Sequence, residues 1–258
     1  MQNQLLKYTL YLVLLLAAAS CRKTDITAPG TASLTIINAA VGTNSLVVNF
    51  GGTDPLSNYY INARQLYYNI FMQECQFNAY SGLQKLGLYN YPDTLPKSAP
   101  FVNLTLDLPV GSVNSLFVTG TADMPDTLFT RDHPPYHSPS DSTIGIRFVN
   151  LSAGSQPVSI NLAGQAAAHE ISRLAYKEIS AFKMYPAKQD VASYTFEFRD
   201  MATGTLLAAY TADGINLNST DPNEPVNRWR YRNFTLALLG TPGGTESSAQ
   251  TILWSNNY

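Results

Sequence analysis

Cationic and aromatic residues alternate in residues 228–232 of the chain, a segment that could bind a ligand. Successive side chains of a β-strand point to opposite faces, so the arginines would share one face and the rings the other. The arginines are Arg228, Arg230 and Arg232, and the rings are Trp229 and Tyr231. We predict a strand over residues 228–239. It is either an amphipathic strand that buries its rings, or an arginine-lined patch that meets an acidic partner or an anionic glycan. On a regular strand, the apolar residues at 234, 236 and 238 would lie on the same face as the arginines. We therefore expect either a bulge near residue 232 or arginines that lie at the rim of the sheet.

Tyrosine and asparagine are concentrated between residues 58 and 91. The sequence leaves three interpretations open: an extra hairpin or edge strand whose tyrosines cover a core, an aromatic binding surface, or a disordered insert. Tyrosine presents a large apolar face with a polar tip, which suits sugar rings and partner proteins. The residues that we assign to such a surface are Tyr59, Tyr60, Tyr67 and Tyr68.

Two histidines and two aspartates lie close together in residues 131–141, a proline-dense segment. Two prolines separate His133 from His137, so the helical spacing of two metal ligands is excluded, and we predict a stiff, solvated linker. His169-Glu170 is followed by arginine at position 173, so the His-Glu-x-x-His pattern of zinc proteases is absent. The sequence contains neither a Gly-x-Ser-x-Gly nucleophile motif nor a phosphate-binding loop. We therefore predict a protein that is not an enzyme and has no metal or other cofactor.

The elements that would position these residues are predicted by an internal repeat. Residues 34–52 are echoed without a gap by residues 146–164, and each copy has alternating apolar residues on both sides of a glycine-containing break. A second echo links residues 116–121 to residues 236–241. Many short strands between turn signals are typical of antiparallel sandwiches, so we predict an all-β chain with two tandem Ig-like or transthyretin-like β-sandwich modules.

The predicted first module spans residues 31–139 and the second spans residues 140–258. Between Gly52 and Tyr91-Pro92 the first module has about 18 more residues than the second has between Gly164 and Tyr185-Pro186. We therefore predict a tyrosine-rich insertion in the first module.

The N-terminus is predicted to direct the chain to a membrane. Lys7, an apolar stretch and a run of small residues ending at Cys21 resemble a bacterial lipoprotein signal, and a plain secretory signal is the alternative. The resemblance implies a signal peptide at residues 1–20 and an acylated Cys21 on a polar tether that extends to residue 30. The membrane would then be a partner through the lipid anchor, and the location would be the cell envelope, at the outer membrane in either leaflet.

The hairpin of residues 148–164 resembles the opening of the tandem modules called domain of unknown function 4397. The resemblance covers both modules and implies Ig- or transthyretin-like sandwiches of the kind found in envelope lipoproteins of Bacteroidota-type bacteria. The family name implies no activity.

The bulk composition limits the choice of partner. Charged residues make up 13% of the 258 residues and the formal net charge is −2, so no positive field is available for nucleic acid. The sequence thus favours a binding or adhesion module for a glycan or an envelope protein. The alternative is a structural spacer or an assembly subunit of an outer-membrane complex.

Overall fold

The computed structural model describes residues 29–52, 56, 61–62, 64–217 and 227–257. Cys21, Tyr59 and Tyr60 lie outside the described residues. Among the residues within them, no helix has the length and apolar character needed to cross a bilayer. Sixteen strands dominate this part of the chain, with short 3-10 turns at Gln73–Cys75 and Glu246–Ser248.

The first eight strands form two four-stranded sheets, in the orders β4-β1-β7-β8 and β3-β2-β5-β6. These strands are β1 (Thr31–Asn38), β2 (Ser45–Asn49), β3 (Gln65–Tyr67), β4 (Gln76–Tyr80), β5 (Gly82–Asn90), β6 (Val102–Leu108), β7 (Val113–Gly120) and β8 (Pro125–Asp132). Neighbouring strands are antiparallel except β1 and β7, which are parallel.

The next eight strands repeat this arrangement, in the orders β12-β9-β15-β16 and β11-β10-β13-β14. They are β9 (Thr143–Asn150), β10 (Val158–Leu162), β11 (Ile171–Leu174), β12 (Lys183–Pro186), β13 (Ser193–Asp200), β14 (Leu206–Asp213), β15 (Asn233–Leu239) and β16 (Thr251–Asn257). Here β9 and β15 are the parallel pair. The prediction of an all-β chain built from β-sandwiches is confirmed.

Matching the strands of the two modules shows that the first module lacks the predicted insertion. Tyr185-Pro186 belongs to β12, whose counterpart is β4, whereas Tyr91-Pro92 follows β5. The two Tyr-Pro pairs are therefore not equivalent, and the prediction of an 18-residue insertion between Gly52 and Tyr91 was wrong. The connections from β2 to β4 and from β10 to β12 differ by only a few residues.

Each pair of sheets encloses its own apolar core. Leu34 and Ile36 of β1 pack in the first core, and Ile146 and Phe148 of β9 pack in the second. Full burial of such a side chain contributes roughly 1.5–3 kcal/mol. The alternation that predicted these strands in the repeat is the alternation of the core-facing residues.

A third apolar cluster joins the two modules. Its members are Ile37, Ala39 and Phe117 from the first module and Val149, Leu151, Ala237, Leu239 and Leu253 from the second. They lie on the faces of β1, β7, β9, β15 and β16 that point away from the two cores. Both faces of the central strands are thus buried, which explains the nearly unbroken burial of β7, β9 and β15. The four sheets are stacked, with the module interface in the middle.

A buried ion pair crosses this interface. Arg147 Nη1 donates to Asp132 Oδ1 at 2.6 Å, and the two side chains are only 4% and 1% exposed. Arg147 Nε also donates to Thr235 Oγ1 at 2.8 Å, and Ser115 Oγ donates to Asp132 Oδ2 at 2.6 Å. The hydrogen bonds compensate charges that would otherwise be costly to bury.

The segment of residues 131–141 is less solvated than predicted. Strand β8 continues to Asp132, and the ring of His137 is 4% exposed, with Nδ1 3.0 Å from Thr143 Oγ1 and Nε2 3.0 Å from Asn233 Oδ1. The prediction of a solvated linker was wrong for Asp132 and His137. Asp132 pairs with Arg147 of the second module, and the ring of His137 contacts Thr143 and Asn233 of the same module. Within the described ranges, no group of three His, Cys, Asp or Glu side chains is placed to hold a metal ion.

Candidate binding groove

A groove of about 410 Å³ opens where the two modules meet, and we call it the seam groove. One wall is the connection from β3 to β4, and the other is formed by β16 and the turn before β15. Its lining residues are Phe71, Met72, Gln73, Gln76, Arg228, Arg232, Phe234, Trp254 and Asn256. The groove therefore joins the middle of the tyrosine-rich region to the segment of alternating arginines and rings.

The segment of residues 228–232 forms a bend and a turn, so the strand predicted to begin at residue 228 begins at Asn233 instead. Asn227 causes this difference, because its side-chain oxygen accepts hydrogen bonds from the backbone N–H groups of Trp229 and Arg230 at 2.9 and 3.0 Å. An asparagine that binds the backbone two residues on is typical of a turn. The face assignment made from strand parity was wrong for this reason.

The turn gives its residues separate roles. Trp229 is buried and donates from Nε1 to the carbonyl oxygen of Asp213 at 2.7 Å. Arg230 Nε donates to the carbonyl oxygen of Ala187 at 2.8 Å. Tyr231 has a φ of 62°, is exposed, and donates from its hydroxyl to the carbonyl oxygen of Pro139 at 2.8 Å. Only Arg228 and Arg232 of this segment line the seam groove.

Aromatic side chains from both modules form the apolar part of the seam groove. The ring of Trp254, on β16, lies 6.3 Å from that of Phe71 and 6.0 Å from that of Phe234. Phe71 comes from the first module and both other rings from the second. The platform exists only because the modules are packed together.

Two arginines flank this platform. The guanidinium carbon of Arg228 lies 5.3 Å from the ring centroid of Trp229 and 5.7 Å from that of Trp254, within the range of a cation–π interaction. Arg232 Nη1 is 3.4 Å from the carbonyl oxygen of Arg228. In the part of the chain that the structure describes, neither arginine forms an ion pair.

Amide groups complete the lining of the seam groove. Gln73, Gln76 and Asn256 contribute them, and the buried Oδ1 of Asn256 has no hydrogen-bond partner among the described residues. Among the residues that the structure describes, no Asp, Glu, His, Ser or Cys lines this groove. Rings, amides and guanidinium groups bind ligands by stacking and hydrogen bonding, so the groove is equipped for recognition.

The tyrosines predicted to form a binding surface are placed elsewhere. Tyr67 is exposed on β3, and Tyr68 packs against the cluster between the modules, where burial raises the pKa of its hydroxyl. Neither lines the seam groove. The groove residues that sequence reasoning missed are Phe71, Met72, Gln73, Gln76, Phe234, Trp254 and Asn256. The apolar run Ile70-Phe71-Met72 is a local signal for the first of these, and nothing local points to Trp254.

A second groove, of about 420 Å³, lies at the other side of the module interface, and we call it the opposite groove. It is built from equivalent elements, since the connection from β11 to β12 faces β8. Its lining residues include Arg131, His133, Arg147, Phe182 and Met184. The guanidinium carbon of Arg147 lies 4.9 Å from the ring centroid of Phe182, but this arginine is already paired with Asp132.

Comparisons with known proteins find only distant structural similarities. No family model matches the chain, including that of domain of unknown function 4397, and no curated protein matches it. A candidate adhesin from Bacteroides ovatus is 12% identical over 87% of this chain and 93% of its own, with a TM-score of 0.22. Candidate polysaccharide-binding proteins of Bacteroides thetaiotaomicron, which carry domain of unknown function 1812, are represented by a structure with 9% identity. That match covers 89% of this chain and 98% of the other, with a TM-score of 0.21.

Proposed function

We propose that the protein is a non-enzymatic, lipid-anchored protein of the cell envelope that binds a glycan in the seam groove. The observation that carries the proposal is the platform of Phe71 and Trp254, which is assembled from both modules and flanked by arginines and amides. Acylation of Cys21 would hold the modules near the outer membrane, with residues up to 30 as the tether.

The chemistry of the groove suits a sugar better than an apolar ligand. The apolar face of a sugar ring packs on an aromatic ring, while its hydroxyl groups need hydrogen-bond partners around the rim. Gln73, Gln76 and Asn256, which line the groove, offer such partners through their side-chain amides.

The test is binding of the full-length chain, purified in detergent, to an array of neutral and acidic glycans. We expect binding to a defined set of glycans and a loss of about tenfold or more in affinity for Phe71→Ala, because one of the three rings of the platform is removed. Met184→Ala is the control, since Met184 is an exposed apolar residue of the opposite groove, and we expect it to bind as the unchanged protein does. Thermal unfolding of each variant separates lost binding from lost folding.

Two outcomes would reject glycan binding in the seam groove. One is a folded full-length protein that binds no glycan on the array. The other is a Phe71→Ala variant with unchanged affinity.

A rigid spacer or assembly subunit is the second candidate function, and the buried interface between modules favours it. The third apolar cluster and the pair of Asp132 and Arg147 hold the modules in one arrangement, as a spacer requires. If this function is correct, Arg228→Gln leaves the recovery of the protein with its envelope complex unchanged, since Arg228 lines the groove but does not belong to the cluster between the modules. A variant that disrupts the interface would reduce that recovery.

A further inference from the structure

A third groove, of about 430 Å³, lies along the edge strand β4, and we call it the edge groove. It is lined by Phe50, Arg64, Gln76, Phe77, Asn78, Ala79, Tyr80 and Gln84. Gln76 lines both this groove and the seam groove. The two grooves therefore adjoin at the first residue of β4.

The edge groove repeats the chemistry of the seam groove. The guanidinium carbon of Arg64 lies 5.0 Å from the ring centroid of Phe77, and the ring of Phe50 packs edge-on against Phe77 at 5.6 Å. Arg64 Nη1 donates to the carbonyl oxygen of Gln76 at 3.1 Å. Each groove thus contains an arginine stacked on an aromatic ring and a set of side-chain amides.

The two grooves together carry positive charge that the described part of the protein does not neutralise. None of the described carboxylates forms an ion pair with Arg64, Arg228 or Arg232. No acidic residue of the described ranges lines either groove, and this includes Glu74, which follows Gln73 in the chain.

In the second module, the corresponding part of the edge strand carries an ion pair. Arg64 immediately precedes β3, as Glu170 immediately precedes β11, and strand register makes Phe77 of β4 equivalent to Lys183 of β12. In the second module these positions form an ion pair, with Lys183 Nζ 2.6 Å from Glu170 Oε2. Tyr185 donates to the same carboxylate at 2.6 Å. The first module has an arginine over a ring instead, and its charge is left for a ligand.

We propose that the seam and edge grooves form one extended site for an acidic polysaccharide, a chain of sugars that carry carboxylate or sulfate groups. This proposal rests on the proposed function and specifies its ligand. The planar guanidinium group binds a carboxylate or sulfate through two parallel hydrogen bonds, and stacking on a ring holds it in position for them. Strand β4 extends the site by about 13 Å, at roughly 3.3 Å per residue, so the ligand is longer than one sugar.

The experiment measures affinity of the full-length chain in detergent for charged oligosaccharides and for the same oligosaccharides without charge. Oligogalacturonides of one to eight units, with their methyl esters, test carboxylates. Heparin fragments, with their desulfated and carboxyl-reduced forms, test sulfates. We expect one charged series to bind at least about tenfold more tightly than its neutral form, and its affinity to rise with chain length and fall with added salt.

Three substitutions assign the charge to its groove. We expect Arg228→Gln to weaken binding of short and long charged oligomers by about tenfold or more, and Arg64→Gln to weaken only the long ones. Arg131→Gln, which removes an exposed arginine from the opposite groove, is the matched control and should bind normally.

Each contrary result has a distinct meaning. Equal binding of the charged and neutral forms in both series, or binding of neutral glycans alone on the array, would overturn the acidic ligand while leaving glycan binding intact. Unchanged affinity of Arg64→Gln for the longest oligomers would overturn the extended site. Absence of binding to any glycan would overturn the proposed function itself.

Discussion

The two modules share one strand order but distribute their charges differently. In the second module, Glu170 pairs with Lys183, Arg173 with Glu178, and Arg199 with Glu197. Among the described residues of the first module, no ion pair joins two of its own side chains. Because the same fold forms with and without these pairs, the fold does not require them. The groove arginines come from both modules, Arg64 from the first and Arg228 and Arg232 from the second, and none of them forms an ion pair among the described residues.

The seam and opposite grooves also differ in whether their stacked arginine is paired with a carboxylate. Each contains an arginine stacked on an aromatic ring, Arg228 in the seam groove and Arg147 in the opposite groove. Arg147 is buried and neutralised by Asp132, whereas Arg228 is exposed and lies over two rings. One arginine thus holds the modules together, and the other is available to a ligand.

The largest effect that we predict comes from breaking the pair at the interface. Asp132→Ala leaves the charge of Arg147 buried without a partner, which costs about 3–5 kcal/mol of unfolding free energy. Urea unfolding measures this loss. Since the seam groove needs both modules in place, the variant should also bind glycans more weakly.

A double variant separates charge burial from packing. Asp132→Leu combined with Arg147→Met removes both charges, and we expect it to recover most of the stability that Asp132→Ala loses, because buried pairs are often replaceable by apolar residues. If Asp132→Ala unfolds at the same urea concentration as the unchanged protein, Arg147 does not hold the modules as described.

A smaller effect is expected from the charge cluster that is specific to the second module. Burial would raise the pKa of Glu170, but hydrogen bonds from Lys183, Tyr185 and His169 outweigh it and lower that pKa. A carboxyl group with a lowered folded-state pKa stabilises the protein above its unfolded pKa of about 4.3, and this stability is lost as the pH falls through the folded pKa.

The test of this cluster is Lys183→Met. We expect a lower urea midpoint than the unchanged protein at pH 7 and a smaller further loss on acidification to pH 3. Lys188→Met is the matched control, since Lys188 is exposed and forms no ion pair among the described residues, and it should follow the unchanged protein at every pH. Parallel pH profiles for the Lys183 and Lys188 variants would contradict the assignment.

The sequence predicted the strands of the repeat well because core-facing residues such as Leu34, Ile36, Ile146 and Phe148 alternate on one face. It did not reveal that the opposite faces are buried as well, because Ile37, Phe117 and Val149 are buried by the contact between the modules and not by either core. Alternation therefore located the sandwiches without showing how they pack.

The binding groove was harder to predict than the fold. Alternation of residue types over residues 228–232 suggested a strand, but the hydrogen bonds of one side chain, Asn227, turn the chain there. The contact between Phe71 and Trp254 joins residues that are far apart in the sequence and belong to different modules. No local pattern encodes such a pair, which depends on the packing of two complete sheets.

The smallest effect that we predict concerns the second ion pair between modules, which is exposed. Lys177 Nζ lies 2.7 Å from Asp126 Oδ1, with the two side chains 32% and 44% exposed. Exposed pairs contribute about 0.2–1 kcal/mol, because water and salt screen them. Lys177→Met should therefore lower the unfolding free energy by no more than this amount, and the difference should shrink further in 1 M salt. A loss as large as that of Asp132→Ala would mean that the rim of the interface, rather than its buried centre, holds the modules together.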